Sequence, residues 1–377
     1  MPNTLTAVIP TLYEAMRIVS RELVGFIPSV ARDSNVERAA LNQIVSFHKV
    51  PAMLAGNIAA AATGPDPDGV AIGSDTMSIT KSRGVSFYWT GEEQVATGHS
   101  GQRENVLRDQ FAQAMRTLCN EIEGDVAGLY LATARAIGTA GTAPFASTLD
   151  DAALVRKILD DNGTPMEDRH LVVSTRTGVN IRKLTQLTKA NEAGGDAQLR
   201  RGVLLDLFGL GIRESAATKI HTAGTGTSVA TAGAGNTIGQ TVIQMAAFTA
   251  GIYLPGDVLT ISGHSYVAQE VDPTANTITI SEPGLRTTVA NGTAVTRAAN
   301  YEANVAFHRS ALQLATRVPA MPEGGDAADD VVEVQDPHSG LGFQVALYRQ
   351  RRRIAYEVGI AWGVKGVQPE HAALLIG

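Results

Sequence analysis

The end of this chain constrains its fold more than any other stretch. From Arg353 to Val364, Ile354, Tyr356, Val358, Ile360, Trp362 and Val364 fall on one side of a period-2 pattern, and Ala355, Glu357, Gly359, Ala361 and Gly363 fall on the other. Side chains alternate faces along a strand, so this reads as one long β-strand with a bulky face and a small-residue face. A break at Gln368-Pro369 follows, then a short apolar strand closes the sequence.

The strongest helical pattern in the sequence lies over residues 100–137. Leu107, Phe111, Ala114, Leu118, Ile122, Val126, Leu129 and Thr133 recur at spacings of three and four, while Arg108, Asp109, Arg116, Glu123 and Arg135 point elsewhere. Ser100 is a candidate N-cap, and Gly138 with Gly141 supplies the stop. Read as one helix over 100–137, the segment would run roughly 55 Å and act as a spine.

Ahead of it, residues 1–45 carry two weak helical patterns, around Leu12–Val24 and Val36–Val45, too broken to bury their own apolar faces. Residues 46–96 alternate as strands, with Val85, Phe87 and Trp89 against Ser86, Tyr88 and Thr90. Their tip is Ala62-Thr63-Gly64-Pro65-Asp66-Pro67-Asp68-Gly69. A two-stranded excursion of this kind gains order from a neighbouring subunit.

Downstream, the pattern predicts a helix opened by Ser147-Thr148-Leu149-Asp150, running through Leu159 and ended by Asn162-Gly163, a buried strand at Arg169–Ser174, and a helix over Ile181–Ala190. Residues 221–241 are rich in Gly, Thr and Ala and read as loop. Short strands then follow at Val258–Ile261, Tyr266–Val271, Thr277–Ser281, Thr287–Val289 and Ala294–Thr296, separated by turn residues such as Pro255-Gly256-Asp257 and Asn291-Gly292. This is the signature of a small inserted β-barrel. Asn304–Phe307 is a strand, Ser310–Ala315 a short helix or second strand, and Met321–Asp330 an acidic loop.

The whole order resembles tailed-bacteriophage major capsid (coat) proteins, particularly the coat-protein family of lambdoid short-tailed phages. The resemblance rests most on Pro255-Gly256-Asp257 through Thr296, on Asn304-Val305-Ala306-Phe307 through Val318-Pro319, and on Arg353–Ile376. It implies an α+β chain with the HK-ninety-seven-like capsid fold shared with herpesvirus shells. On that reading the N-arm spans 1–45, the E-loop 46–96 and the P-domain with its long spine helix 97–147. The A-domain covers 148–220 and returns over 300–343. The inserted small β-barrel domain occupies 221–299, and the P-domain strand and C-terminal strand occupy 344–377.

The resemblance further implies a non-enzymatic subunit that assembles as pentamers and hexamers into an icosahedral procapsid in the host cytoplasm. It would act with a scaffolding protein and a portal protein and end in the virion around packaged double-stranded DNA. Encapsulin-like compartments share the fold but generally lack the insertion. A mixed α/β enzyme with an accessory barrel is the alternative from another class.

Composition fits a self-associating subunit. Charged residues make up 18% of 377 residues, below the roughly 25% usual for soluble domains. The net charge of −6, with no basic tail, argues against a dedicated DNA-binding module. One cysteine, Cys119, leaves no disulfide framework and fits a reducing compartment. The N-terminus lacks a signal-peptide pattern, and no apolar run is long enough to span a bilayer, so no membrane partner is expected.

Chemical motifs are weak. Gly98-His99-Ser100-Gly101 has Gln102 where a nucleophile elbow needs glycine, and a helix start explains it better. Gly224-Thr225-Gly226-Thr227-Ser228-Val229 lacks the third glycine of a dinucleotide loop. The eight histidines are scattered without metal-ligand spacing, and Asp66-Pro67-Asp68-Gly69 lacks the later ligands of a calcium loop. No catalytic, cofactor or metal site is expected. Lys81 is the residue that a Lys–Asn crosslink of this fold would use, although the short-tailed subfamily relies on its insertion instead. The candidate interface residues are Arg83, Trp89, Glu92 and Glu93, where the excursion rejoins the spine, and the basic cluster Arg349, Arg351, Arg352 and Arg353. Asp326, Asp329 and Asp330 are carboxylates that could meet that cluster.

Overall fold

A computed structural model of the chain describes residues 23–33, 38–49, 73–99, 103–188, 206–226, 228–233, 236–335 and 340–377. The excursion tip, most of the N-terminal arm and Ser100 lie outside the described residues.

The long strand forms as its alternation predicts, from Arg353 to Gly366. On one edge it pairs antiparallel with Lys81–Thr90, in register from Arg353↔Thr90 to Trp362↔Lys81. On the other edge it pairs first with Gly342–Gln350 and then with Leu312–Pro319. Asp330–Gln335 extends the sheet beyond Gly342–Gln350. Both edges are therefore occupied, which makes this strand the axis of a seven-stranded sheet.

Its bulky face packs on the spine helix. Tyr356, Val358, Ile360 and Trp362 share one core with Phe111, Met115, Leu118 and Ile122. Phe111 meets Tyr356 edge-on at 5.3 Å and Phe87 at 5.0 Å, and Phe87 stacks on Tyr356 at 5.4 Å. Pairs of this geometry add to area burial by about 0.5–1.5 kcal/mol each. Cys119 is buried in the same helix, as expected of a small apolar side chain.

The spine helix is shorter than its periodicity predicts. It runs from Arg103 to Ala127, 25 residues, or roughly 37 Å, with a separate helix at Gly91–His99 before it. Gly128–Ala132 tightens into a 3-10 turn, and Arg135–Gly138 is a strand, not helix. Two causes end the helix early. Gly124 and Gly128 weaken its last turns, and residues Arg135–Gly138 gain a parallel partner in Ala373–Ile376. The alanines at 132, 134 and 136 suit either period, so the pattern alone could not separate the two states.

The last strand, Ala372–Ile376, is fully buried and central to a second, mixed sheet. It pairs antiparallel with Tyr301–His308, which pairs with Arg169–Ser174, which runs parallel to Gly211–Ser215. Helix Asp150–Asp161 covers this sheet and ends at Gly163, whose φ is +73°. The helix expected from Ile181 begins earlier, at Thr175, because Ser174 caps it by accepting from the Thr177 amide. Leu184 breaks it before a short turn at Thr185–Thr188. Ser310–Ala315 resolves into a 3-10 turn at Arg309–Ala311 and the start of strand Leu312–Pro319.

Residues 221–241 are not all loop, since Ser228–Ala230 is a strand. It opens a circuit of six: Ser228–Ala230 pairs with Ala294–Arg297, then Val258–Ile261, His264–Asp272, Thr277–Ile280 and Val242–Gln244 follow in turn. A bridge between Thr231 and Met245 returns to the start. Leu259, Ile261, Tyr266, Ile278, Ile280 and Val295 fill its interior. The strand expected at Thr287–Val289 is reduced to a bridge between Val289 and Asn236.

The small-residue face of the long strand has its own function. Ser78 and Ile79, at the base of the excursion, cross directly over it, and the Thr80 amide donates to the Trp362 carbonyl at 3.0 Å. A Cβ on Gly363 would lie 2.1 Å from the Ser78 carbonyl oxygen. Ile79 and Met77 pack with Ala39, Ala315 and Ala361 in a cluster of their own. Of the helical pattern expected over Val36–Val45, the described residues 38–45 are not helical. Arg38–Ala39 pairs parallel with Val318–Pro319, and Ile44–Lys49 pairs with Gly73–Ser78.

Gly363→Val is therefore expected to dislodge the excursion base and destabilise the chain by about 1–3 kcal/mol or more. Urea unfolding and limited proteolysis between residues 50 and 72 would register both effects. An unchanged cleavage rate would show that the crossing does not hold the excursion.

Candidate subunit interface

Two groups of sequence-distant residues meet at the end of the central hairpin. Gln350 pairs with Arg353 across a turn at Arg351-Arg352, and the Gly91 amide donates to the Arg352 carbonyl at 3.0 Å. Arg349, Arg351, Arg352 and Arg353 thus line one surface cleft of 690 Å³ together with Thr90, Gly91, Glu92 and Gln94. Four of the predicted basic residues and Glu92 share this cleft, although some 260 positions separate them in the chain.

The cluster is only partly neutralised. Arg349 lies 4.0 Å from Asp329, whose carboxylate also accepts from the Arg349 amide at 2.6 Å. Arg353 bonds Gln350 and sits 5.0 Å from the centre of the exposed Tyr88 ring. Asp326 is bound to the Tyr348 hydroxyl instead of to an arginine. Arg352 adopts φ +59°, a left-handed conformation that costs a non-glycine residue about 1 kcal/mol or more. A charged side chain held at a strained turn points to a role beyond folding.

The remaining predicted residues divide by orientation. Trp89 turns inward, 6% exposed, and its indole donates to Gln110 on the spine helix at 2.5 Å. Thr90 and Glu93 form a capping box for helix Gly91–His99. The Thr90 amide and hydroxyl donate to the Glu93 carboxylate at 2.8 and 2.9 Å, and the Glu93 amide returns a bond to Thr90. Those donations, the backbone amide first, hold the Glu93 carboxyl below its ordinary value. Glu92 is exposed. Arg83 lies outside the cleft, on the strand, and pairs with Glu121 of the spine helix at 3.4 Å.

Lys81 sits beside Arg83 and bridges Glu121 and Asp125 at 3.2 and 2.9 Å. Its bond to Asp125 comes first among the causes that raise its pKa, so the ammonium is held charged. A crosslinking amine must be neutral to attack, and this environment opposes that. Asp125 also accepts from the Trp362 indole at 2.8 Å.

Sequence reasoning missed a second anchor. Glu123, on the opposite side of the same helical turn, is 1% exposed. One carboxylate oxygen accepts from the Gly25 and Phe26 amides at 2.7 and 2.8 Å and from the Ser215 hydroxyl at 2.7 Å. The other accepts from the Ile27 amide at 2.9 Å. A single side chain thus ties arm residues 25–27 to the helix and to the second sheet. Gly25 is required here, because a Cβ would meet the Glu214 carbonyl at 2.7 Å. Burial raises the Glu123 carboxyl above its ordinary 4.5, and the four donors offset this only in part. A carboxylate among the helix's outward-pointing charges carried no signal of this role.

A third polar cluster joins the six-stranded circuit to the body. His221 bonds the buried Asp257 at 2.9 Å through Nε2 and the Tyr130 hydroxyl at 3.0 Å through Nδ1. Asp257 also accepts from the Leu254 amide at 2.8 Å and from the Gly224 amide. His221 and Asp257 are closed off from solvent, with side-chain exposures of 6% and 0%, so the set serves as an anchor between elements. Gly224 and Gly226 likewise serve packing. The Thr225 and Gly226 amides donate to the Gly251 and Ile252 carbonyls, and a Cβ at either glycine would strike Ile252. Among the described residues, no group of three or more His, Cys, Asp or Glu side chains could hold a metal ion, and no helix is long and apolar enough to cross a membrane.

No protein-family model and no curated protein matches the chain. Solved structures are similar to it in fold at low identity. One from Mycobacterium phage Che8 shares 16% identity at a TM-score of 0.45, covering 90% of this chain and 88% of that one. The capsid structure of cyanophage P-SCSP1u shares 11% identity at a TM-score of 0.46, covering 94% and 89%. The virus-like particle from Pyrococcus furiosus shares 10% identity at a TM-score of 0.42, covering 97% and 96%.

Two outcomes follow for these sites. Because the folded-state carboxyl of Glu123 is raised, its contribution to stability is fully present below the ordinary 4.5 and is lost as pH rises through the folded value. Acidification within that window should slow hydrogen exchange at the Gly25, Phe26 and Ile27 amides, and Glu123→Gln should flatten the dependence. Glu123→Ala, which strands four buried donors, should cost roughly 3–5 kcal/mol. Separately, Arg352→Gly should raise the unfolding free energy by about 1 kcal/mol through relief of the turn while lowering the yield of assembled particles. Unaltered assembly would remove Arg352 from the interface.

Proposed function

We propose that this chain is a major capsid subunit of a tailed phage, assembling as pentamers and hexamers into a closed icosahedral shell around double-stranded DNA. The observation that carries this reading is the excursion. Among the described residues, strands Ile44–Lys49 and Gly73–Ser78 pair only with each other. Leu41 and Ile44 beside them are 55% and 63% exposed. Two strands bury too little apolar surface to be stable in water alone, so the projection calls for a surface on another copy.

The body is built to hold such a projection firmly. Its base crosses Gly363, Lys365 bonds Asp75 and the Thr76 carbonyl, and Lys81 and Arg83 grip the spine helix. A firmly held base is what a subunit needs to carry a projection across a neighbour. The cleft of Glu92 and Arg349–Arg353 supplies a second contact with mixed charge, suited to orientation and register more than to raw affinity. Many such modest contacts, repeated around a shell, give strong cohesion by multivalency. On this reading the six-stranded circuit is the inserted barrel of the short-tailed coat proteins, the subunit has no catalytic role, and a scaffolding protein and a portal act in assembly.

The test is size-exclusion chromatography of the expressed chain, with negative-stain microscopy of the excluded fraction. Round shells or tubes, formed alone or with a scaffolding protein, are the expected result. Replacing residues 50–72 with a short turn should abolish them while leaving a folded monomer. A monomer under all conditions would overturn the reading. Shells that hold protein cargo and no DNA would assign the chain to a compartment instead.

A further inference from the structure

Where the arm meets the second sheet, cations outnumber the carboxylates near them. Arg32 lies on the arm strand Ala31–Asp33 and Arg309 in the turn that follows Tyr301–His308. Arg213 lies on Gly211–Ser215, and His170 on the adjacent parallel strand, opposite Gly211. The register places Val172 opposite Arg213, so Arg213 and His170 rise from the same face of the sheet. Phe307 pairs with His170 across the other edge, with the rings 6.3 Å apart, and carries the chain directly to Arg309.

None of the three arginines has a carboxylate within salt-bridge distance among the described residues. The hydrogen bond of Arg309 goes to the Pro28 carbonyl at 3.3 Å. Burial, and then the charge of Arg309, depress the Arg32 guanidinium. Both ring nitrogens of His170 are closed off from solvent and lack a hydrogen-bond partner. Burial and the charges of Arg213 and Arg309 disfavour its protonation, and the carboxylates of Asp168 and Asp206 offset them only in part. In a chain of net charge −6, so frustrated a group of cations marks a place for an anion.

We propose that Arg213 and Arg309, beside His170, and Arg32, beside Arg309, bind phosphates of a nucleic-acid backbone. This rests on the shell reading for where the nucleic acid comes from. Guanidiniums on separate elements suit repeated phosphates, each of which accepts two parallel hydrogen bonds. An acidic face of a second copy fits less well, because the chain's exposed acidic run is already occupied. Asp326 is held by Tyr348, Asp329 by Arg349 and Glu333 by Arg38.

The experiment measures binding of the purified full chain to a short mixed-sequence DNA duplex by fluorescence anisotropy across a salt series. Three neutralised phosphates predict a slope near −2.7 in log affinity against log salt, or roughly a 40-fold loss between 50 and 200 mM. In R32Q/R213Q/R309Q that slope should fall toward zero, while the triple Arg→Lys variant should keep most of it. Arg213→Gln alone, on an exposed residue without a bonding partner, tests one unit of slope if the triple variant does not fold. An unchanged slope in the glutamine variants overturns the site, as does binding of polyglutamate through the same arginines with no binding of DNA. Microscopy of the same samples reads shell formation separately. Arginine-dependent DNA binding without shells would sink the shell reading and keep the site, and shells with unaltered DNA binding would do the reverse.

Discussion

Everything in this structure depends on the contact between the bulky face of Arg353–Gly366 and the inner face of the spine helix. Tyr356, Val358, Ile360 and Trp362 meet Phe111, Met115, Leu118 and Ile122 there, and all eight are buried. At about 1.5–3 kcal/mol for each fully buried apolar side chain, this is a large contribution. Once it forms, both edges of the strand are open for pairing. Lys81–Thr90 takes one edge, while Gly342–Gln350 and Leu312–Pro319 share the other.

The polar anchors concentrate on one turn of that helix. Glu121 and Asp125, four residues apart, face the excursion strand and hold Lys81 and Arg83. Glu123, between them, points to the opposite side and holds the arm. A rotation or bend at this turn is therefore felt by the arm and the excursion together. The buried carboxylate is the more decisive of the two anchors, since partly exposed ion pairs contribute about 1 kcal/mol or less.

Much of this arrangement was legible in the sequence where one period dominated. The long strand, the last strand, Arg169–Ser174 and Val258–Ile261 formed where alternation or short apolar runs predicted them. Reading failed where small residues fit either period. The alanines after Ala127 continued a helical pattern that a parallel strand partner overrode. In the same way Arg38–Ala39 and Ser228–Ala230 became strands because partners far along the chain were available. For the candidate interface, the arginine run was plain. Its union with Glu92 in one cleft was not, because it depends on the register that sets Arg353 opposite Thr90.

By itself, the sequence determined the elements with strong periodicity and the two faces of the terminal strand, because local side-chain alternation and spacing encode them directly. Only the tertiary structure decided what the small face is for. Glycine and alanine there admit the backbone at Ser78–Ile79, which a period-2 reading has no means to foresee. It also decided which carboxylates matter. Glu121, Glu123 and Asp125 look alike as charges on a helix, and only the elements that pack on either side make one a buried latch and the others partners of surface cations. Burial and partner geometry are properties of the folded chain, since desolvation acts on a charge only after distant segments have closed over it.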